Sequence, residues 1–206
     1  MHRNRKYDVR YLTQMALLIA IEMVMKAIGL GSVPVGPLYM SFLTVPIAIG
    51  AVVLGPLAGM ILGGVFGFVS FLDAIKGASI MTSNLLAVSP VHTFILCFGT
   101  RVLMGACVGL VYQGMRRISK NDAVCCFVTS LSAPLLNTLL FMGYIVLAFY
   151  QTEYIQSLVA SKSAANPLMF VILLVGFQGV VEAVVCSVTG AAVAGGVKKA
   201  LGRAAR

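Results

Sequence analysis

Charge is scarce in this sequence. Asp, Glu, Lys and Arg make up 10% of the 206 residues and hydrophobic residues 60%, against about 25% and about 45–50% in an ordinary soluble domain. In water such a chain would expose more apolar surface than it could bury. A bilayer removes the conflict, because lipid solvates the outer faces. Histidine is nearly absent, with two in all, one of them His2 near the N-terminus. No G-x-x-x-x-G-K-[ST] loop is present to cradle the phosphates of ATP, and no H-E-x-x-H or G-x-S-x-G occurs. An ATPase, an intramembrane metalloprotease and a serine hydrolase are therefore not expected, and neither is any cofactor. The five cysteines (Cys97, Cys107, Cys125, Cys126 and Cys186) lie in apolar stretches without a C-x-x-C pair. They read as small packing residues rather than as disulfides or metal ligands. Two halves with matching broken helices, the mark of many secondary carriers, are also missing.

What is present is apolar length. Stretches near the 20 or so residues of a membrane span fall at about 11–28, 40–54, 57–75, 93–115, 123–150 and 167–197. They predict an all-α integral membrane protein, a single bundle of six transmembrane helices with no room for a soluble catalytic domain. The basic N-terminal run followed by an apolar stretch imitates a signal peptide, but Glu22 and Lys26 interrupt it, so a retained first helix is expected. The second span is short and bent at Pro46. Gly55-Pro56 makes a tight turn into the third. KGASIMTSNLLAVSP, from Lys76 to Pro90, and residues 151–166 read as loops.

The basic residues then sort by side. Arg3, Arg5, Lys6 and Arg10 precede the first span, Arg116, Arg117 and Lys120 fall between the fourth and fifth, and Lys198, Lys199, Arg203 and Arg206 end the chain. All lie on one face under a six-span count, with Lys76 and Lys162 opposite and Lys26 near the membrane edge. The positive-inside rule places both termini in the cytoplasm. Spread over three short segments beside spans, these charges fit topology and anionic membrane lipid rather than nucleic acid.

Glycines recur every four residues at Gly55, Gly59, Gly63 and Gly67, and again at Gly105 and Gly109. Each set lies on one helical stripe and allows close backbone approach. Ala16 and Ala20 repeat the spacing in the first span, where they suit either internal packing or a docking partner.

Glu22, Arg101, Asn137, Gln178 and Glu182 lie well inside spans. A charge at a helix centre costs about 2.5–3.5 kcal/mol on insertion scales, so such residues should face the bundle interior or a wet cavity. Arg101 falls roughly 13 Å below the outer end of the fourth span at about 1.5 Å per residue. Asn137 and Glu182 lie at comparable depth in the fifth and sixth, with Gln178 one turn outward of Glu182. Two arrangements follow. Either these groups line an outward-opening pocket, with Arg101 taking an anionic group, or Arg101 and Glu182 pair and lock the bundle. Glu22 is expected to pair with Lys26 one turn away, and Asp73 with Lys76 at a surface helix end. His92, Asn84 and Ser89, in the outer loop before the fourth span, are lid candidates or simply exposed.

The ordered motifs resemble a known family. PVGPLYMSFLTVPIAIGAVVLGPLAG, from Pro34 to Gly59, is similar to the second-span region of the substrate-binding (S) components of energy-coupling factor (ECF) transporters. That family has a P-x-G-P loop, a proline in a short second helix and an LGPLAG turn. Its proline-arginine pair in the fourth span corresponds to Thr100-Arg101, and its asparagine-threonine in the fifth to Asn137-Thr138. NPLMFVILLVGFQGVVEAVVC resembles its glutamate-bearing last helix. Ala16-x-x-x-Ala20 matches its small-residue docking motif.

The resemblance covers nearly the whole chain and looks most like the pantothenate-type branch. It implies a bacterial cell-membrane protein with an outward pocket that holds a water-soluble vitamin, capped by the loop after the first span. Arg101, Asn137, Gln178, Glu182, Tyr39 and Asn84 are then the candidate substrate-binding residues. Ala16 and Ala20 would dock on a transmembrane coupling subunit that works with two cytosolic ATPases. A stand-alone secondary transporter of a small organic anion, or an S component for folate, riboflavin or niacin, are the alternatives.

Overall fold

The computed structural model describes the backbone of residues 9–31, 33–35, 38–163 and 166–204. Helix α1 (Val9–Ala27) leads into an antiparallel hairpin of β1 (Val33–Val35) and β2 (Leu38–Met40), in which Val33 faces Met40 and Val35 faces Leu38. Then follow α2 (Thr44–Val53), α3 (Pro56–Ile75), α4 (Ile80–Val88), α5 (Pro90–Phe94), α6 (Thr100–Ile118), α7 (Asp122–Phe149), α8 (Glu153–Ser161) and α9 (Pro167–Ala204). A single π-helical turn, Ile95–Gly99, joins α5 to α6, so that Pro90–Ile118 is one continuous rod.

Among the described residues four helices are long and apolar enough to cross a membrane: α3, the α5–α6 rod, α7 and α9. Their outward faces carry exposed Phe68, Leu110, Leu139, Leu147 and Phe177, surface that only lipid or a partner would cover. The apolar helix α2 is ten residues long, about 15 Å, and is buried from Pro46 to Val52 as the plug of the bundle. Helix α1 carries Arg10, Glu22 and Lys26 among its 19 residues and packs on α2 and α3 through Met15 and Leu18.

The glycine stripes explain the tightest contact. A methyl group on Gly59 would strike the Gly105 carbonyl, and one on Gly105 the Gly59 carbonyl. A methyl on Gly63 would strike the Arg101 carbonyl, and one on Gly109 would strike Pro56. The two sequence stripes therefore face each other, and α3 meets α6 main chain to main chain. Gly55, at φ +99°, makes the turn from α2 into α3, a backbone shape that glycine adopts without strain. Helices α7 and α9 cross where Ser130 fills the space left by Gly190.

Two segments read as loops from sequence contain helices. In α4, Met81, Thr82 and Leu85 are buried, and the Ser83 hydroxyl donates to the Ala74 carbonyl at 2.8 Å. In α8, Ile155 and Val159, one turn apart, are buried against a cluster that includes Phe149, Phe170 and Leu85. Each helix is nine residues long, and in α4 the apolar residues are not confined to the buried face, with Ile80 and Val88 exposed, so neither shows a clear periodicity in the sequence. Together with the hairpin they cap one end of the bundle, opposite the end that bears Arg116, Lys198 and Lys199.

Candidate functional site

Arg101 enters this capped end from α6 and is 7% exposed. Its guanidinium carbon lies 4.4 Å from the ring centroid of Phe66 on α3 and 4.7 Å from that of Phe141 on α7. Two aromatic faces thus hold the cation in a region without bulk water, where such attraction is strongest. Nη1 donates to the Cys97 carbonyl at 3.0 Å and, at longer range, to the Leu96 carbonyl at 3.4 Å. Both acceptors belong to the π turn, where the Thr100 N–H reaches back five residues to Ile95 and the regular ladder is broken. Thr100, where the resembled family has proline, donates its hydroxyl to Leu96 as well. The Arg101 Nε–H has no hydrogen-bond partner among the described residues. A buried donor of this kind is a place where a water or a ligand belongs.

Beside it lies a cavity of about 70 Å³, room for roughly two waters at about 30 Å³ each. Arg101, Phe66 and Phe141 form one wall, and Ser41, Met81 and Thr82 bring in the segment after the hairpin and α4. Lys26 and Asp73 complete it and form an ion pair across the gap between α1 and α3. That pair corrects two expectations: Lys26 does not pair with Glu22, nor Asp73 with Lys76. Glu22 is 2% exposed, and neither of its carboxylate oxygens has a hydrogen-bond partner among the described residues.

Glu182 is also buried. Its Oε1 accepts the Ser41 backbone N–H at 2.8 Å and the Gln178 Nε2–H at 3.3 Å. One turn further along α9, Cys186 Sγ lies 3.0 Å from the Thr44 hydroxyl. The last helix thereby grips the start of α2 at two successive turns. The Arg101–Glu182 pair that the sequence allowed is not formed: the ion pairs among the described residues are Lys26–Asp73, Arg116–Asp122 and Lys198–Asp122.

The remaining candidates are dispersed. Asn137 is half-buried on α7, one turn from Phe141 on the same face, but it does not line the cavity. Gln178 and Glu182 do not line it either; Glu182 bonds to Ser41, which does. Asn84 is exposed, donates to Ile80 on its own helix at 2.9 Å and reaches the Tyr154 hydroxyl. Burial raises the pKa of that hydroxyl, and the Asn84 hydrogen bond works against the rise. His92 Nδ1 lies 2.9 Å from the Tyr144 hydroxyl. The Tyr39 backbone pairs with Pro34 in the hairpin; its side chain lies outside the described residues. Ala16 and Ala20 are exposed on α1, in a face with Leu17, Ile21 and Val24.

Sequence reasoning missed Phe66, Phe141, Ser41, Lys26 and Asp73 as chamber residues. Aromatic residues in spans carry no signal of their own. The Lys26–Asp73 pair joins residues 47 positions apart, while nearer partners at helical spacing were available to both.

A family model described as ECF transporter, substrate-specific component, matches residues 10–193. Comparison with curated proteins returns no match. With the match running from α1 through most of α9, the chain belongs to the substrate-specific components of ECF transporters, membrane proteins that bind a small substrate for an ECF module and are not themselves enzymes.

Proposed function

We propose that this chain captures pantothenate from outside the cell and delivers it through an ECF module made of a transmembrane coupling subunit and two cytosolic ATPases. The observation that carries the reading is the Arg101 guanidinium, clamped between two rings beside a capped cavity, with its buried Nε–H unpartnered among the described residues. A carboxylate would satisfy that donor. Charge counting supports a single one: the cavity wall holds two cations, Arg101 and Lys26, and one carboxylate, Asp73, which leaves one positive charge. Pantothenate is a monoanion whose hydroxyl and amide groups need neutral partners such as Ser41, Ser70 and Thr82, which line the cavity. Riboflavin would leave the cation uncompensated, and folate would bring a second charge.

At about 70 Å³ the chamber is too small for any vitamin, so this is a closed form. Loading requires the hairpin and α4 to move and the Lys26–Asp73 pair to part. In this reading six segments cross or enter the membrane, the four long helices together with α1 and α2, and both termini are cytoplasmic. The exposed Ala16 and Ala20 face of α1 meets the coupling subunit.

The test is binding of radiolabelled pantothenate to the purified protein in detergent. Arg101→Ala should weaken it at least about a hundredfold, since stranding a buried charge costs about 3–5 kcal/mol, while insertion is unaffected. Full-strength binding by that variant would remove Arg101 from the site. No binding by the wild type, with another vitamin co-purifying in mass spectrometry, would reassign the substrate.

A further inference from the structure

The end of the bundle opposite the chamber holds a second concavity, a groove of about 980 Å³ between α7 and α9. Its rim carries Arg116, Lys198 and Lys199 around Asp122. Lys198 Nζ lies 2.6 Å from Asp122 Oδ1 and 5.5 Å from the centre of the Tyr112 ring, and Arg116 binds the same carboxylate. Three cations against one carboxylate leave two positive charges. Below the rim the groove turns apolar, with Val124 43% and Phe127 45% exposed, and Ala192 exposed on α9. Nothing lies within 4 Å of where a side chain on Gly195 would start, so the groove is open along α9. A cationic rim at a helix end, above an apolar trough that runs along the spans, matches the two halves of a phospholipid in charge and in polarity.

We infer that this groove binds an anionic glycerophospholipid, with the headgroup phosphate on Arg116, Lys198 and Lys199 and an acyl chain laid over Phe127 and Ala192. Asp122 Oδ1 binds both Arg116 and Lys198 and holds them side by side, so the phosphate meets a formed pair of donors rather than two free side chains. The inference does not rest on what the outer chamber holds.

The test is native mass spectrometry of the full chain, delipidated in detergent and returned to mixed micelles with equal amounts of phosphatidylglycerol and phosphatidylcholine. The wild type should retain phosphatidylglycerol in clear excess. Lys198→Gln/Lys199→Gln should lower its retention by roughly fivefold per cation removed, with an unchanged thermal unfolding midpoint. Ala192→Trp, which alters no charge, should lower it as well by filling the trough. Equal retention of the two lipids, or undiminished phosphatidylglycerol on the lysine variant, overturns the proposal. So does displacement by soluble glycerol 3-phosphate as effective as by the diacyl lipid, which would mark a small-anion site. Lysine variants that keep their lipid but fail to assemble with the coupling subunit would assign the groove to that partner and overturn it too.

Discussion

The Arg101 guanidinium is positioned by shape as much as by charge: two rings fix its plane, and two main-chain carbonyls take one of its nitrogens. Lysine would keep the charge but could not lie flat between Phe66 and Phe141 or offer the same fork of donors. Arg101→Lys should therefore lower pantothenate affinity at least about tenfold, about 1.4 kcal/mol, read by equilibrium binding; wild-type affinity would show that charge alone suffices. Glu182 has a different task, since it accepts from the Ser41 main chain instead of lining the cavity. Glu182→Gln, which keeps an acceptor, should retain most of the stability. Glu182→Ala should lose about 1–3 kcal/mol, the cost of stranding a buried donor, as a drop in the detergent melting temperature. A glutamine variant as damaged as the alanine variant would show that the charge itself is needed. Arg101, Gln178 and Glu182 were legible in the sequence because polar groups are rare and costly inside apolar helices. What sequence could not say was how they divide: Arg101 holds the chamber, and the other two fasten the chain that roofs it.

Among the elements, α3 and α6 were the most legible. Glycines at a four-residue repeat in both segments announced a close contact, and Gly59, Gly63, Gly105 and Gly109 all lie in it. Because carbonyls occupy the space where side chains would be, Gly63→Ala should push α6 outward at Arg101 itself. The expected result is a loss of about 1–3 kcal/mol, the usual cost of overpacking, together with weaker vitamin binding. Gly114→Ala, with nothing within 4 Å, is the matched control and should be neutral in both assays. Helices α4 and α8 and the hairpin were illegible for the opposite reason. Their strands are three residues long and their helices nine, too short for a periodic pattern to stand out from the polar residues around them. In the proposed reading the hairpin and α4 are also the parts that move for loading. Lys26→Ala should therefore speed release of bound vitamin several-fold in a stopped-flow chase, whereas an unchanged rate would detach the Lys26–Asp73 pair from gating.

At the scale of the whole molecule, the exposed small-residue face of α1 and the absence of any nucleotide loop agree with a subunit that draws its energy from a partner. Ala16→Trp and Ala20→Trp should block co-purification with the coupling subunit and leave vitamin binding intact; normal assembly by both would move the docking surface elsewhere. Sealed vesicles holding the chain alone should not accumulate vitamin under an ion gradient, and those holding the complete module with ATP should. Accumulation by the chain alone would point to a secondary carrier.

At 38 residues, α9 is about 57 Å long, nearly twice the roughly 30 Å hydrocarbon thickness. It is also bonded near its middle, through Glu182 and Cys186, to the chain on either side of the entrance to α2. The same rod is pinned again beyond that point, where Ala194 enters the core and Lys198 meets Asp122 of α7. One rigid element therefore joins the basic end of the bundle to Ser41, at the edge of the roof.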